Sequence, residues 1–162
     1  MCNTIINGDE SLKGLFPQPR YRYKEGISRQ KPKIFMEQIP DTLVRKEDTL
    51  IVIDVKYYNI KIKSTPGWSD LVKQFYYGWS ATLKTELKLR NILAFPGEEY
   101  SHIGEVYMEN KTREYTELGV VECLEVPIVD FMKAYLRNDS STYLDNILQE
   151  TSIQKLIHDF IY

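Results

Sequence analysis

The chain has 162 residues, 43% hydrophobic and 27% charged, with a formal net charge of −2. That length suits one domain with a real core, and the composition is that of a globular protein. No apolar stretch approaches the roughly 18 to 20 residues that span a bilayer, so no membrane association is expected. The start, "MCNTIINGDESLKG", lacks a basic segment followed by a long apolar one, and two cysteines are too few for a disulfide framework or a cysteine-rich metal site. A reducing cytoplasm is the expected location.

Residues 1–32 read as an irregular basic segment, broken by Gly8, Gly14, Pro17, Pro19, Gly26 and Pro32. Between Phe16 and Lys33, Arg20, Arg22, Lys24, Arg29, Lys31 and Lys33 face Glu25 alone. Between Gly97 and Glu125, eight glutamates face Lys111 and Arg113. Such asymmetry fits a polyanion held on one side, and equally a solvated loop.

From residue 33 to 162 the pattern is that of one α/β domain. Ile34–Met36, Asp41–Arg45 and Thr49–Tyr57 read as strands, with "RKED" turning between the last two. "STPGWSD" leads into a helix of about 18 residues with Ser69 as N-cap and Asp70 at the positive end of its dipole. Leu71, Phe75, Trp79, Leu83 and Leu87 form its apolar stripe. "NILAFPG", "HIGEVYME" and "GVVECLEVPI" read as three further strands, and Pro127 opens another helix. In the tail, Leu144, Ile147, Leu148, Ile153, Leu156, Ile157 and Phe160 read as core packing or a docking surface. This order predicts a mixed sheet with an antiparallel hairpin, flanked by helices.

Strand alternation places Val52, Asp54 and Lys56 on one face, with Asp54 and Lys56 about 6 to 7 Å apart. The "RKED" turn returns the chain beside Asp41. Two carboxylates at one strand end repel, and burial raises the cost. A divalent cation removes the conflict. Two aspartates, a backbone carbonyl and water suit Mg²⁺, completed by phosphate oxygens, with Mn²⁺ as a substitute. A lysine on the same face then serves phosphodiester hydrolysis by positioning or deprotonating water and by stabilising developing charge. The bland alternatives are a strand-end salt bridge for Asp54 and Lys56, and a turn residue for Asp41. His102 and His158 lack metal-ligand spacing, and no glycine loop suited to nucleoside triphosphates is present.

Pro40-Asp41, a twelve-residue spacer and Asp54-Val55-Lys56 resemble the PD-(D/E)xK nuclease pattern. The series "IPDTLV", "IVIDVKYYN", "DLVKQFYYGW", "NILAFPG" and "HIGEVYM" is similar to LlaJI-type restriction endonucleases, and more distantly to the nuclease subunit of McrBC-type systems. The resemblance spans about residues 17–137. It implies a restriction-endonuclease-like core and a Mg²⁺-dependent endonuclease acting on double-stranded DNA. Asp41, Asp54 and the Val55 carbonyl would be metal ligands, and Lys56 the catalytic lysine. Gln74 would orient the lysine or a phosphate, with Lys73 and Tyr77 nearby. Lys73 would join the basic segment in DNA contact. Such nucleases usually carry a further acidic residue on a helix before the first core strand; Glu10, Glu25 and Glu37 are the candidates. A partner subunit, NTP-driven or conferring specificity, or a homodimer would complete the system. The alternative is a non-catalytic DNA- or partner-binding module on the same scaffold.

Overall fold

Apolar runs broken by short turns need a sheet with both faces covered, and the computed structural model of the protein builds one from five strands. The structure describes residues 8–17, 39–57, 65–138, 143 and 145–147. Strand β1 is Thr42–Lys46 and β2 is Thr49–Val55, joined by the two residues Glu47 and Asp48. Helix α1 is Trp68–Thr82. Strands β3 (Lys88–Gly97), β4 (Ser101–Val106) and β5 (Val121–Pro127) follow, and helix α2 is Ile128–Arg137. The spatial order is β1-β2-β3-β5-β4. β1 and β2 are antiparallel, β2, β3 and β5 run parallel, and β4 returns antiparallel at the far edge. The result is an α/β fold with a mixed sheet flanked by helices, compatible with a restriction-endonuclease-like core.

Alternation divides the sheet residues between its two faces. Ile51, Ile53, Ile92, Ala94, Leu124 and Val126 pack under α2 through Phe131 and Ala134, with Ile147 closing the cluster. Leu43, Leu50 and Val52 pack with Tyr77 and Ala81 of α1, and Leu93, Phe95, Val121 and Cys123 with Phe75. A 3-10 helix at Glu10–Leu15 lies within the segment read as irregular, its first turn capped by the Asp9 side chain. It is tied to β1 by Asp9 N–H donating to the Leu43 carbonyl (2.7 Å), and Phe16 is buried edge-on against Tyr77. The expected strand Ile34–Met36 and most of the tail stripe, Ile147 apart, lie outside the described residues.

Helix α1 corrects its reading in two ways. It starts at Trp68 with Gly67, not Ser69, as N-cap, and it has 15 residues. Its buried face is Gln74, Phe75, Tyr77, Gly78, Ser80 and Ala81, while Trp68, Trp79 and Leu83 are exposed. The reason is geometric. Residues four apart advance by about 40° around a helix, so a stripe at strict spacing of four winds away from the core. Trp79 uses the wet side of its ring: the indole N–H donates to the Leu118 carbonyl.

Candidate active site

Asp54 lies on β2 one pleat beyond Val52, on the face covered by α1. The strand leaves the core there, and burial falls from complete at Ile53 to partial at Asp54, Val55 and Lys56. Lys56 is still held in the ladder, because its backbone N–H donates to the Ala94 carbonyl of β3 (2.9 Å). Asp41 precedes β1, and its Oδ2 accepts the N–H of Val55 (2.9 Å). The hairpin therefore brings the two expected carboxylates to neighbouring positions at one end of the sheet.

The Lys56 ammonium forms an ion pair with Asp54 and a second one, at 3.1 Å, with Asp70 Oδ1 in the first turn of α1. All three side chains are mostly buried: 14% exposed for Asp54, 16% for Lys56 and 19% for Asp70. Burial pushes the Asp54 carboxyl above its ordinary pKa, and the charges of Asp41 and Asp70 add to that, against the pull of Lys56. Burial also opposes the Lys56 ammonium, yet Asp54 and Asp70 outweigh it, and its pKa stands above the ordinary lysine value. Tyr77 lies against the same charges: burial, then Asp54 and Asp41, raise its hydroxyl to about 12.

Gln74 is fully buried. Its Nε2 donates to Asn91 Oδ1 (2.6 Å) and to the Ile92 carbonyl (3.1 Å), and Asn91 Nδ2 donates back to the Gln74 carbonyl (2.9 Å). Its buried Oε1 has no hydrogen-bond partner among the described residues. This amide pair fastens α1 to β3 four residues after Asp70. The close approach requires Gly78, where an added Cβ would stand 2.9 Å from Asn91 Nδ2.

Lys73 is exposed on α1. Glu10 pairs with Lys13 on the 3-10 helix. Arg20, Arg22, Lys24, Arg29, Lys31, Lys33, Glu25 and Glu37 lie outside the described residues. His102 faces Glu105 on β4, and Cys123 is buried with its thiol raised to about 11 by burial and then Glu105, which leaves little thiolate. Asp70 is the member of the cluster that sequence reasoning missed; its position in a helical first turn read as dipole complementarity alone.

Asp54 and Asp70 hold the ammonium, and Asp41 stands close by on the Val55 N–H, so three carboxylates face one cation, a surplus of negative charge that suits a divalent cation. A carboxylate accepts at two oxygens, so the Val55 bond leaves Asp41 capacity for a cation. Among the described residues no three His, Cys, Asp or Glu side chains already converge as a metal-binding set. Any cation at Asp54 meets the Lys56 ammonium first.

No described helix is long and apolar enough to cross a membrane. A family model described as LlaJI restriction endonuclease matches residues 1–146. A search of curated proteins finds no match.

Proposed function

The chain belongs to the LlaJI restriction endonuclease family, and from that premise we propose that it is a Mg²⁺-dependent nuclease domain hydrolysing DNA phosphodiester bonds through the Asp41, Asp54 and Lys56 cluster. The observation that carries this reading is the junction at the end of β2. There Asp54 and Lys56 pair on the face under α1 while Asp41 grips the N–H between them.

Asp54 and Asp41 would hold the cation, with the Val55 carbonyl as a neutral donor. When bound, a divalent cation supplies Lewis acidity toward a phosphoryl oxygen and makes water more acidic near neutral pH. The chain's own residues do the rest. Lys56 is kept protonated by its two carboxylates, which favours charge stabilisation on a phosphate oxygen over proton abstraction. Gln74, bonded to Asn91 and Ile92, fixes α1 and hence the carboxylate that reaches Lys56. Arg20, Arg22, Lys24, Arg29, Lys31 and Lys33, with Lys73, would contact phosphates, giving affinity without sequence information. Sequence choice and triggering would fall to a partner subunit or a second copy.

The test is plasmid cleavage with Mg²⁺ by wild type, Asp54→Ala and Lys56→Ala. Loss of cutting in both variants, with folding intact, supports the assignment. Equal cutting by all three removes it, and leaves a DNA- or partner-binding scaffold as the reading.

A further inference from the structure

Lys56 has two anchors. One is Asp54, on its own strand; the other is Asp70, on the helix that follows. The two would not survive cation binding equally. The oxygen that accepts from Lys56 is Asp54 Oδ2. Asp54 Oδ1 remains for a cation, but an ammonium and a divalent cation on one carboxylate repel, so filling the site would weaken the Lys56–Asp54 pair. The backbone of Lys56 stays fixed by Ala94, but its four-carbon stem would regain its rotamers if nothing else held the amine.

We infer that Asp70 is a positioning residue, which keeps the Lys56 amine inside the site when Asp54 turns to a cation. This rests on the nuclease reading given above. Asp70 suits the task for three reasons. Its Oδ1 lies 3.1 Å from Lys56 Nζ, with both side chains under one fifth exposed, so solvent screens the pair less than a surface one. Its backbone N–H donates to Gly67 (3.0 Å), in the first turn of a helix that Gln74 bolts to β3. A carboxylate there is also favoured by the positive end of the helix dipole. Asp70 thus sits on a frame separate from the hairpin that carries Asp41 and Asp54, and a rearrangement at those two need not disturb it.

The test reads the position of the amine without cleavage. Ca²⁺ occupies the site of the whole chain, and acetylation of Lys56 by an amine-reactive reagent is timed by mass spectrometry. In wild type, Ca²⁺ changes the labelling rate by less than about threefold. In Asp70→Ala with Ca²⁺ the rate rises clearly above that of wild type with Ca²⁺. Without Ca²⁺ the rise is smaller, since Asp54 still holds the amine. Asp70→Glu, which retains the carboxylate, restores slow labelling. In cleavage assays Asp70→Ala lowers kcat about ten- to hundredfold with little change in half-saturating Mg²⁺, and adds nothing in a Lys56→Ala background. Equal labelling of wild type and Asp70→Ala in Ca²⁺ overturns the inference, and so does a loss of kcat that persists when Lys56 is absent. A control separates the two readings. If Ca²⁺ does not raise the melting temperature of wild type, or raises that of Asp54→Ala equally, the metal site itself falls and Asp70's role goes with it.

Discussion

Under α2, the sheet presents Ile51, Ile53, Ile92, Ala94, Leu124 and Val126, an aliphatic surface closed by Phe131 and Ala134. Under α1, apolar residues alternate with chemistry. Leu50 and Val52 lead to Asp54 and Lys56, and Leu93 and Phe95 share their strand face with Asn91, which holds Gln74. One face is aliphatic apart from the part-buried Arg90–Glu122 ion pair. The other gives up part of its burial to keep charges half-dry, where they act strongly but weaken the fold.

Substitutions on the two faces should therefore fail in different ways. The largest effect is expected at the charged cluster: Asp54→Ala or Lys56→Ala should lower plasmid cleavage about a hundred- to ten-thousandfold while the thermal transition stays cooperative. On the aliphatic face, Ile92→Ala should cost about 2–5 kcal/mol by urea unfolding and leave the cleavage rate per folded molecule unchanged. If it instead reduced that rate as far as Asp54→Ala does, the division between faces would be wrong. Gln74→Ala joins the two behaviours. It strands Asn91 Oδ1, for about 1–3 kcal/mol, and loosens α1, so stability and kcat should fall together.

A smaller effect has its sign set by pH. The native state raises the Asp54 pKa, so it binds this proton more tightly than the unfolded chain does. The stability that Asp54 contributes is present at low pH and is lost as pH rises through the folded value. Without divalent cation, Asp54→Asn should then melt above wild type near neutral pH. The advantage should vanish as pH falls below the ordinary carboxylate range, where Asp54 is protonated in both states. Adding Ca²⁺ at neutral pH should reverse the order. A variant that melts below wild type at neutral pH without cation would mean that pairing with Lys56 outweighs burial. The smallest effect is expected outside both faces. The exposed pair Lys88–Asp48 can be removed by Lys88→Ala with no measurable change in melting or cleavage.

How much of this was legible in the sequence depends on range. A period of two needs only the strand itself, so the shared face of Asp54 and Lys56 could be read from residues 50–56, and the short "RKED" turn placed Asp41 beside them. The course of α1 could not be read so closely. An apolar residue every fourth position marked a helix correctly, but the buried surface follows Gln74, Tyr77, Gly78 and Ala81, at spacings of three and four. A glutamine at its centre is bonded to a partner 17 residues away, and nothing local announces that bond. Asp70 escaped for the same reason: its meeting with Lys56 depends on how the crossover seats α1 on β3, a tertiary matter.

The hairpin tip has a consequence for how this chain can vary. Lys46 pairs with Thr49 and Thr42 with Ile53, and the loop between the strands is only Glu47 and Asp48, with Glu47 in the left-handed region at φ 52°. Those two residues work as a ruler, counting out the distance from one acid to the other. An added or deleted residue at the tip would dephase every rung, and the carboxylate of Asp41 would be carried to the opposite surface. Relatives that remain competent to cut should tolerate length changes in the stretch between β4 and β5, and keep this count of two.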